Sequence, residues 1–172
     1  GGGFATPLRD AIIAHRNAGL LFIAAAGNSN NNNDIAAYYP ASYAVDNVIA
    51  VAAIDKTGHR ASFSNYGANS VAIAAPGVGI RSTLPHGAYG DSNGTSMAAP
   101  HVAGVAALVK ASSANVGWQD IKNIMLSTAT QRSNLQGVVT TGGVVNANAA
   151  IQAAPRNVMP TNPTPGPTAT PT

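Results

Sequence analysis

Gly94-Thr95-Ser96-Met97-Ala98-Ala99-Pro100-His101-Val102-Ala103-Gly104 is the stretch of this chain best suited to chemistry. Asp91-Ser92-Asn93-Gly94 reads as a turn, with Asn-Gly among the strongest turn dipeptides. Met97 to Lys110 is apolar and made largely of Ala, Val and Gly. It predicts a helix from about Thr95 to Ser112 that can lie close to its neighbours. Ser96 then stands in the first turn, among N–H groups without intrahelical partners, where the helix dipole favours negative charge. That position suits a nucleophile whose reaction builds an oxyanion. Ser and Thr are also common helix caps, and for the tripeptide Gly-Thr-Ser alone a cap is the simpler reading. Pro100 is read as a first-turn proline, whose missing N–H loses nothing.

The elements that must position Ser96 alternate in type. Phe4 to Ala18 is an amphipathic helix, with Leu8, Ala11 and Ile12 on one face and Arg9, Asp10, Arg16 and Asn17 on the other. Thr6-Pro7 starts it and Gly19 ends it. Leu20 to Ala26 is an apolar run without alternation, which suits a strand buried on both faces. Gly27-Asn28-Ser29 ends that run, and Asn30 to Asn33 reads as a solvated loop. Asn47 to Ile54 and Val71 to Ala75 are two further buried strands, and Ile80 to Leu84 a short fourth. Between them Ser62 to Gly67 reads as an irregular, well-packed segment. Trp118 to Thr128 is a second amphipathic helix, with Ile121, Ile124 and Met125 on one face, and Val144 to Ala154 holds a last short helix. The pattern predicts an α/β domain over 1–154, a mainly parallel sheet flanked by helices. From Pro155 the composition changes, and 155–172 is a Pro/Thr-rich linker or tail, extended and unable to join a core. Such tails link an extracellular catalytic domain to another module or carry O-linked sugars.

Composition narrows the classes. The chain has 172 residues, 45% hydrophobic and only 9% charged, with a net charge of +3. Its Lys and Arg residues are scattered and not interleaved with aromatics, so nucleic acid is not an expected partner. There is no cysteine, hence no disulfide framework and no thiolate metal site. No stretch has the length of a membrane span. A polar but uncharged surface fits a secreted protein.

The Gly94 to Gly104 string closely resembles the nucleophile motif of the subtilisin-like serine proteases, in which the serine opens a buried helix. Ala24-Ala25-Ala26-Gly27-Asn28 resembles the family segment whose asparagine side chain donates to the oxyanion. The resemblance runs from Gly1 to about Ala154 and implies a three-layer α/β fold, incomplete at the N-terminus. It implies Ser96 as nucleophile and Asn28 as oxyanion donor, with the Ser96 N–H as second donor. It further implies that the peptide binds as an added strand against Gly1-Gly2-Gly3. Ala25, Ala26 and Gly27 would then wall the specificity pocket and Tyr38 would stand near its floor. Met97, directly after the nucleophile, is expected to lower activity when oxidised. Gly143-Val144-Val145-Asn146-Ala147 resembles a pattern near the family's C-terminus, with Val144 where arginine is usual.

The orienting Asp and the general base His of the family belong to motifs upstream of the region matched, and nothing here resembles them. His15, His59 and His86 lie on the first helix and in turns. His101, five residues past Ser96, does not point back at it on a helix. The chain is therefore expected to be the C-terminal half of a catalytic domain, inactive alone, with an N-terminal half and a prodomain as partners in a longer protein. No cofactor is required for the chemistry. Calcium is common in the family and the resemblance allows a structural calcium, with a weak carbonyl site around Ala41 to Val48 as a candidate; carbonyl ligands leave no side-chain signature, so no metal site is assigned. The function expected is a secreted endopeptidase. The alternative is a pseudoprotease or extracellular binding module on the same scaffold. An α/β-hydrolase elbow is set aside, because Gly94-Thr95-Ser96-Met97-Ala98 lacks the second glycine.

Overall fold

The computed structural model describes residues 2–113 and 115–155. The Pro/Thr-rich tail from 156 onward, with Gly1 and Ala114, lies outside the described residues. In chain order the elements are α1 (Thr6–Asn17), β1 (Phe22–Ala25), β2 (Val48–Ile54), β3 (Ile73–Pro76), β4 (Ile80–Thr83), β5 (Tyr89–Ser92), α2 (Thr95–Ser112), α3 (Trp118–Ser127), β6 (Thr130–Gln131), β7 (Gly143–Val144) and α4 (Ala147–Ala153).

The sheet is built around β2, whose sequence Val-Ile-Ala-Val-Ala-Ala-Ile carries no polar side chain and is buried throughout. Such a run can be buried on both faces only with neighbours on both edges and a layer above and below. β1 and β3 supply the edges, both parallel to β2, with Ala24 against Ala50 and Val51 against Ile73. The sheet continues through β7, parallel to β3, to β6, antiparallel to β7, giving the order β1-β2-β3-β7-β6. Alternation along β2 divides the core. Ile49, Val51 and Ala53 pack with Val102, Val105 and Val109 of α2, Ile121 and Met125 of α3, and Ala150 of α4. Val48, Ala50, Ala52 and Ile54 pack with Ile12 of α1, Tyr43, Leu135 and Val139. The α/β fold with a mainly parallel sheet between helical layers is the one expected.

Four local expectations differ from the structure. β1 is not buried on both faces: of its four residues only Ala24 is buried, because β1 forms the edge of the five-stranded sheet. Ile80–Thr83 does not extend that sheet but pairs antiparallel with β5, a strand the sequence read partly as turn. This hairpin is held across the strands by Arg81 and Asp91 at 3.4 Å, both exposed. Pro100 falls in the second turn of α2, not the first. Its missing N–H therefore leaves the Ser96 carbonyl without its intrahelical donor. The asparagine run is not simply solvated, since Asn33 is only 4% exposed.

The same loop carries a charge that ties it down. The Asp34 carboxylate accepts hydrogen bonds from Ser70 N–H (2.8 Å), Asn69 N–H (3.1 Å) and Asn69 Nδ2 (3.1 Å), joining residues 30–36 to the turn before β3. Slight burial pushes its pKa up, but the bonds from Ser70 and Asn69 outweigh that and hold it below the ordinary 3.8. A carboxyl depressed by folding stabilises fully above its unfolded value, and that contribution is lost as pH falls through the folded one. Asp34→Asn is accordingly expected to flatten the acid limb of a plot of melting midpoint against pH below about pH 4. An acid limb identical to that of the parent protein would contradict this role.

Candidate functional site

Ser96 is the second residue of α2, after Gly94 as N-cap and Thr95. Glycine has no side chain to cap the helix, and no local side chain does so. The cap comes from across the molecule instead. Asn28, three residues beyond the end of β1, accepts through Oδ1 from Thr95 N–H (2.9 Å) and from Thr95 Oγ1 (2.8 Å). Thr95 Oγ1 in turn accepts from Gly27 N–H (3.2 Å). These bonds fix the Asn28 amide: its oxygen is committed to Thr95, so its Nδ2 faces away from Thr95 as a donor.

The next N–H of the helix is also available. Met97 N–H and Ala98 N–H both turn back to Gly94 O, whereas Ser96 N–H has no hydrogen-bond partner among the described residues. The two donors border one space, which the glycine reveals. A Cβ placed on Gly94 would stand 3.4 Å from Asn28 Nδ2, 3.6 Å from Ser96 N and 3.7 Å from Met97 Sδ. Asn28 Nδ2 and Ser96 N thus lie near one another at the helix start, whose partial positive charge favours an anion. Ser96 itself is exposed, and its Oγ has no hydrogen-bond partner among the described residues.

Beside this space lies a cleft of about 210 Å³ bounded by Ala25, Gly27, Asn28, Tyr38, Thr95 and Ser96 among others. Gly27 is required there twice over. Its φ of 112° is one that side chains avoid, and a Cβ would stand 2.9 Å from the Tyr38 ring and 2.4 Å from Asn65 Nδ2. Of the other sequence-predicted contact residues, Ala26 does not line the cleft. It is fully buried in the core layer that also holds Ile12 and Tyr43. Gly2 is exposed and forms an antiparallel bridge to Tyr39, with both N–H···O bonds at 2.9 and 3.0 Å. Gly3 is exposed nearby, and Gly1 lies outside the described residues.

No histidine lines the cleft. The His15 ring packs on Phe22, His59 bonds Thr57, His86 sits in the β4–β5 turn, and His101 Nδ1 lies 2.8 Å from Met97 O on its own helix. Among the described residues no group of three His, Cys, Asp or Glu side chains could hold a metal. The carbonyl stretch 41–48 does not fit a divalent cation at Asp46 and Val48, because Lys122 Nζ already donates to both carbonyls, at 2.6 and 3.0 Å. No helix among the described residues is long and apolar enough to cross a membrane.

Two contributors were missed in the sequence. Thr95 was read only as a neighbour of Ser96, yet it orients Asn28. Asn65 is fully buried and bonds the backbone on both sides of Asn28. The Ser-Asn-Tyr-Gly sequence around it offers a packed turn but no signal for its long-range partners.

The description of the Subtilase family matches residues 2–147. M-protease of Shouchella clausii (strain KSM-K16) is 46% identical over 147 residues, covering 83% of this chain and 36% of that protein. Subtilisin Savinase of Lederbergia lenta is 46% identical over 83% of this chain and 50% of its own length. Among solved structures, a protease of Pseudoalteromonas arctica PAMC 21717 superposes with a TM-score of 0.77 at 38% identity, covering 90% of this chain and 48% of that one. The prenylagaramide maturation protease PagA superposes with a TM-score of 0.76 at 32% identity, over 90% and 57%. The chain thus spans half or less of these curated relatives' length. With the family match running through β1, Asn28 and the helix that begins at Thr95, this chain belongs to the subtilase family.

Proposed function

We propose that this chain supplies the nucleophile and oxyanion half of a secreted serine endopeptidase. Ser96 Oγ attacks the scissile carbonyl of a peptide as its proton passes to a base, and the carbonyl oxygen takes the negative charge; the tetrahedral intermediate then collapses, the C–N bond breaks, the amine leaves with that proton, and water hydrolyses the acyl-enzyme that remains. Asn28 Nδ2 and Ser96 N–H donate to the developing oxyanion. The observation that supports this reading is that Asn28 Nδ2 and Ser96 N, neither with a hydrogen-bond partner among the described residues, both lie beside Gly94 at the start of the helix. Their preorganisation matters most, since donors fixed beforehand cost no rearrangement when the charge forms.

A serine hydroxyl needs a base. The base and its orienting carboxylate are proposed to come from the portion of a longer protein that the family's full-length members have and this chain does not span. A prodomain and a module beyond the Pro/Thr tail belong to the same proposal. The peptide lies near Gly1, Gly2 and Gly3, and its side chain enters the cleft of Ala25, Gly27 and Tyr38, where the tyrosine ring narrows the space. Ala26 supports that wall from beneath. Export is supported by the scarcity of charge and the Pro/Thr tail. No cofactor takes part in the chemistry.

The absence of histidine from the residues lining the cleft favours a second reading, a non-catalytic member of the family acting as an extracellular binding module. A peptidyl phosphonate distinguishes the two. In the complete protein the first reading expects labelling at Ser96, and loss of peptide hydrolysis to background in Ser96→Ala; no labelling would favour the second. For Asn28→Leu the expected loss in kcat is about 10²–10³, a magnitude carried over from the corresponding asparagine of subtilisin, the reference case for such a donor. A variant within twofold of the parent would remove Asn28 from the mechanism.

Gly94→Ala tests the shared space without touching either donor. Its methyl would stand 3.4 Å from Asn28 Nδ2 and 3.6 Å from Ser96 N and crowd an oxyanion between them, so kcat is expected to fall by at least about tenfold, one oxyanion-hole donor being worth more than that. Unchanged kcat in a folded Gly94→Ala protein would mean that the oxyanion forms elsewhere.

A further inference from the structure

Asn65 lies in the loop between β2 and β3, far in sequence from both Asn28 and Ser96, and its side chain is fully buried. Its Oδ1 accepts from Ser29 N–H (2.8 Å) and Asn31 N–H (3.0 Å). Its Nδ2 donates to Ala26 O (3.1 Å) and to Asn33 Oδ1 (3.1 Å). Its backbone N–H donates to Gly27 O (2.9 Å). One residue therefore holds the chain at positions 26, 27, 29 and 31, on both sides of Asn28, and leaves Asn28 itself unbonded. We propose that Asn65 is a positioning residue for Asn28: by clamping the backbone around it, Asn65 sets where the Asn28 Nδ2 donor stands relative to Ser96.

The arrangement is specific to an amide. Two of the groups it meets are N–H donors and two are oxygen acceptors, so both lone-pair positions and both N–H groups of the side chain are used. Exchanging oxygen for nitrogen would set like against like at all four contacts. Asn33 closes the arrangement, donating through Nδ2 to Ala26 O (2.9 Å) while its Oδ1 receives Asn65 and Asn31 Nδ2 (3.1 Å). Gly27 makes the approach feasible, because any Cβ there would stand 2.4 Å from Asn65 Nδ2. Asn28 thus has two independent supports. Thr95 sets the rotation of its amide, and Asn65 sets the position of its backbone. Misplacing a catalytic group by about 1 Å can cost about a hundredfold in rate.

The inference rests on the proposed role of Asn28, and a double-mutant cycle separates the two claims. In the complete protein, kcat and KM for a peptide substrate are measured for the parent, Asn65→Ser, Asn28→Leu and the double variant. Asn65→Ser is expected to lower kcat about 10- to 100-fold with KM changed by less than about threefold, and to lower it less than about threefold in the Asn28→Leu background, since groups acting through one another are not additive. Asn65→Asp supplies a second readout. Its carboxylate sets an oxygen against two acceptors, and protonation restores one donor, so its kcat relative to the parent is expected to rise as pH falls. An equal Asn65→Ser effect in both backgrounds, or unchanged kcat with only a lower melting midpoint, would overturn the positioning role and leave the role of Asn28 intact. An Asn28→Leu protein as active as the parent would remove both.

Discussion

The bonds from Thr95 N–H and Oγ1 to Asn28 Oδ1 hold the candidate site together. They join the end of an edge strand to the start of the central helix, across a long span of sequence. In energy they are ordinary, each contributing about 0.5–1.5 kcal/mol net. Their importance is geometric. They cap a helix that begins on a glycine, they leave the following N–H unsatisfied, and they turn an asparagine amide so that its donor side shares space with that N–H. A single contact thereby sets both donors relative to Ser96.

That contact depends on how closely α2 can lie on the sheet. Small residues on both sides allow it: Ala53 in β2, Ala75 in β3, and Ala98 and Ala99 in α2. Larger side chains, Ile49, Val51, Val102, Val105 and Val109, fill the layer further from the helix start. The parallel strands bring their C-terminal ends to one edge, where open α/β sheets form ligand crevices. Gly27 and Asn28 leave β1 at that edge. The buried amides of Asn33 and Asn65 keep the departing chain from drifting, at the cost of burying polar groups that have to be fully bonded.

Much of this was legible in residue types. The apolar run of β2, the small-residue helix after Ser96 and the glycine-asparagine exit from β1 each have one simple physical meaning, and the fold followed from their alternation. Asn28 and Ser96 carried the family resemblance directly. What escaped were long-range effects. A run of asparagines has the composition of a solvated loop, and nothing local shows that Asn33 meets Asn65 beneath it. Thr95 reads only as a neighbour of Ser96, yet its hydroxyl serves the chain opposite. β6 and β7 are two residues each, too short for any periodicity, and exist because β3 offers an edge to β7 and β7 offers one to β6. The position of Pro100 turned on one residue of helix boundary, which the sequence does not mark. Ala26 was grouped with its neighbours, although it is fully buried.

The most direct test of the central claim is a crystal structure of the complete protein with a peptidyl phosphonate bonded to Ser96 Oγ. One phosphoryl oxygen is expected beside Gly94, within about 2.7–3.1 Å of both Asn28 Nδ2 and Ser96 N, with the Asn28 oxygen still on Thr95. An adduct whose oxygen points to solvent, or meets other donors while Asn28 turns away, would contradict it.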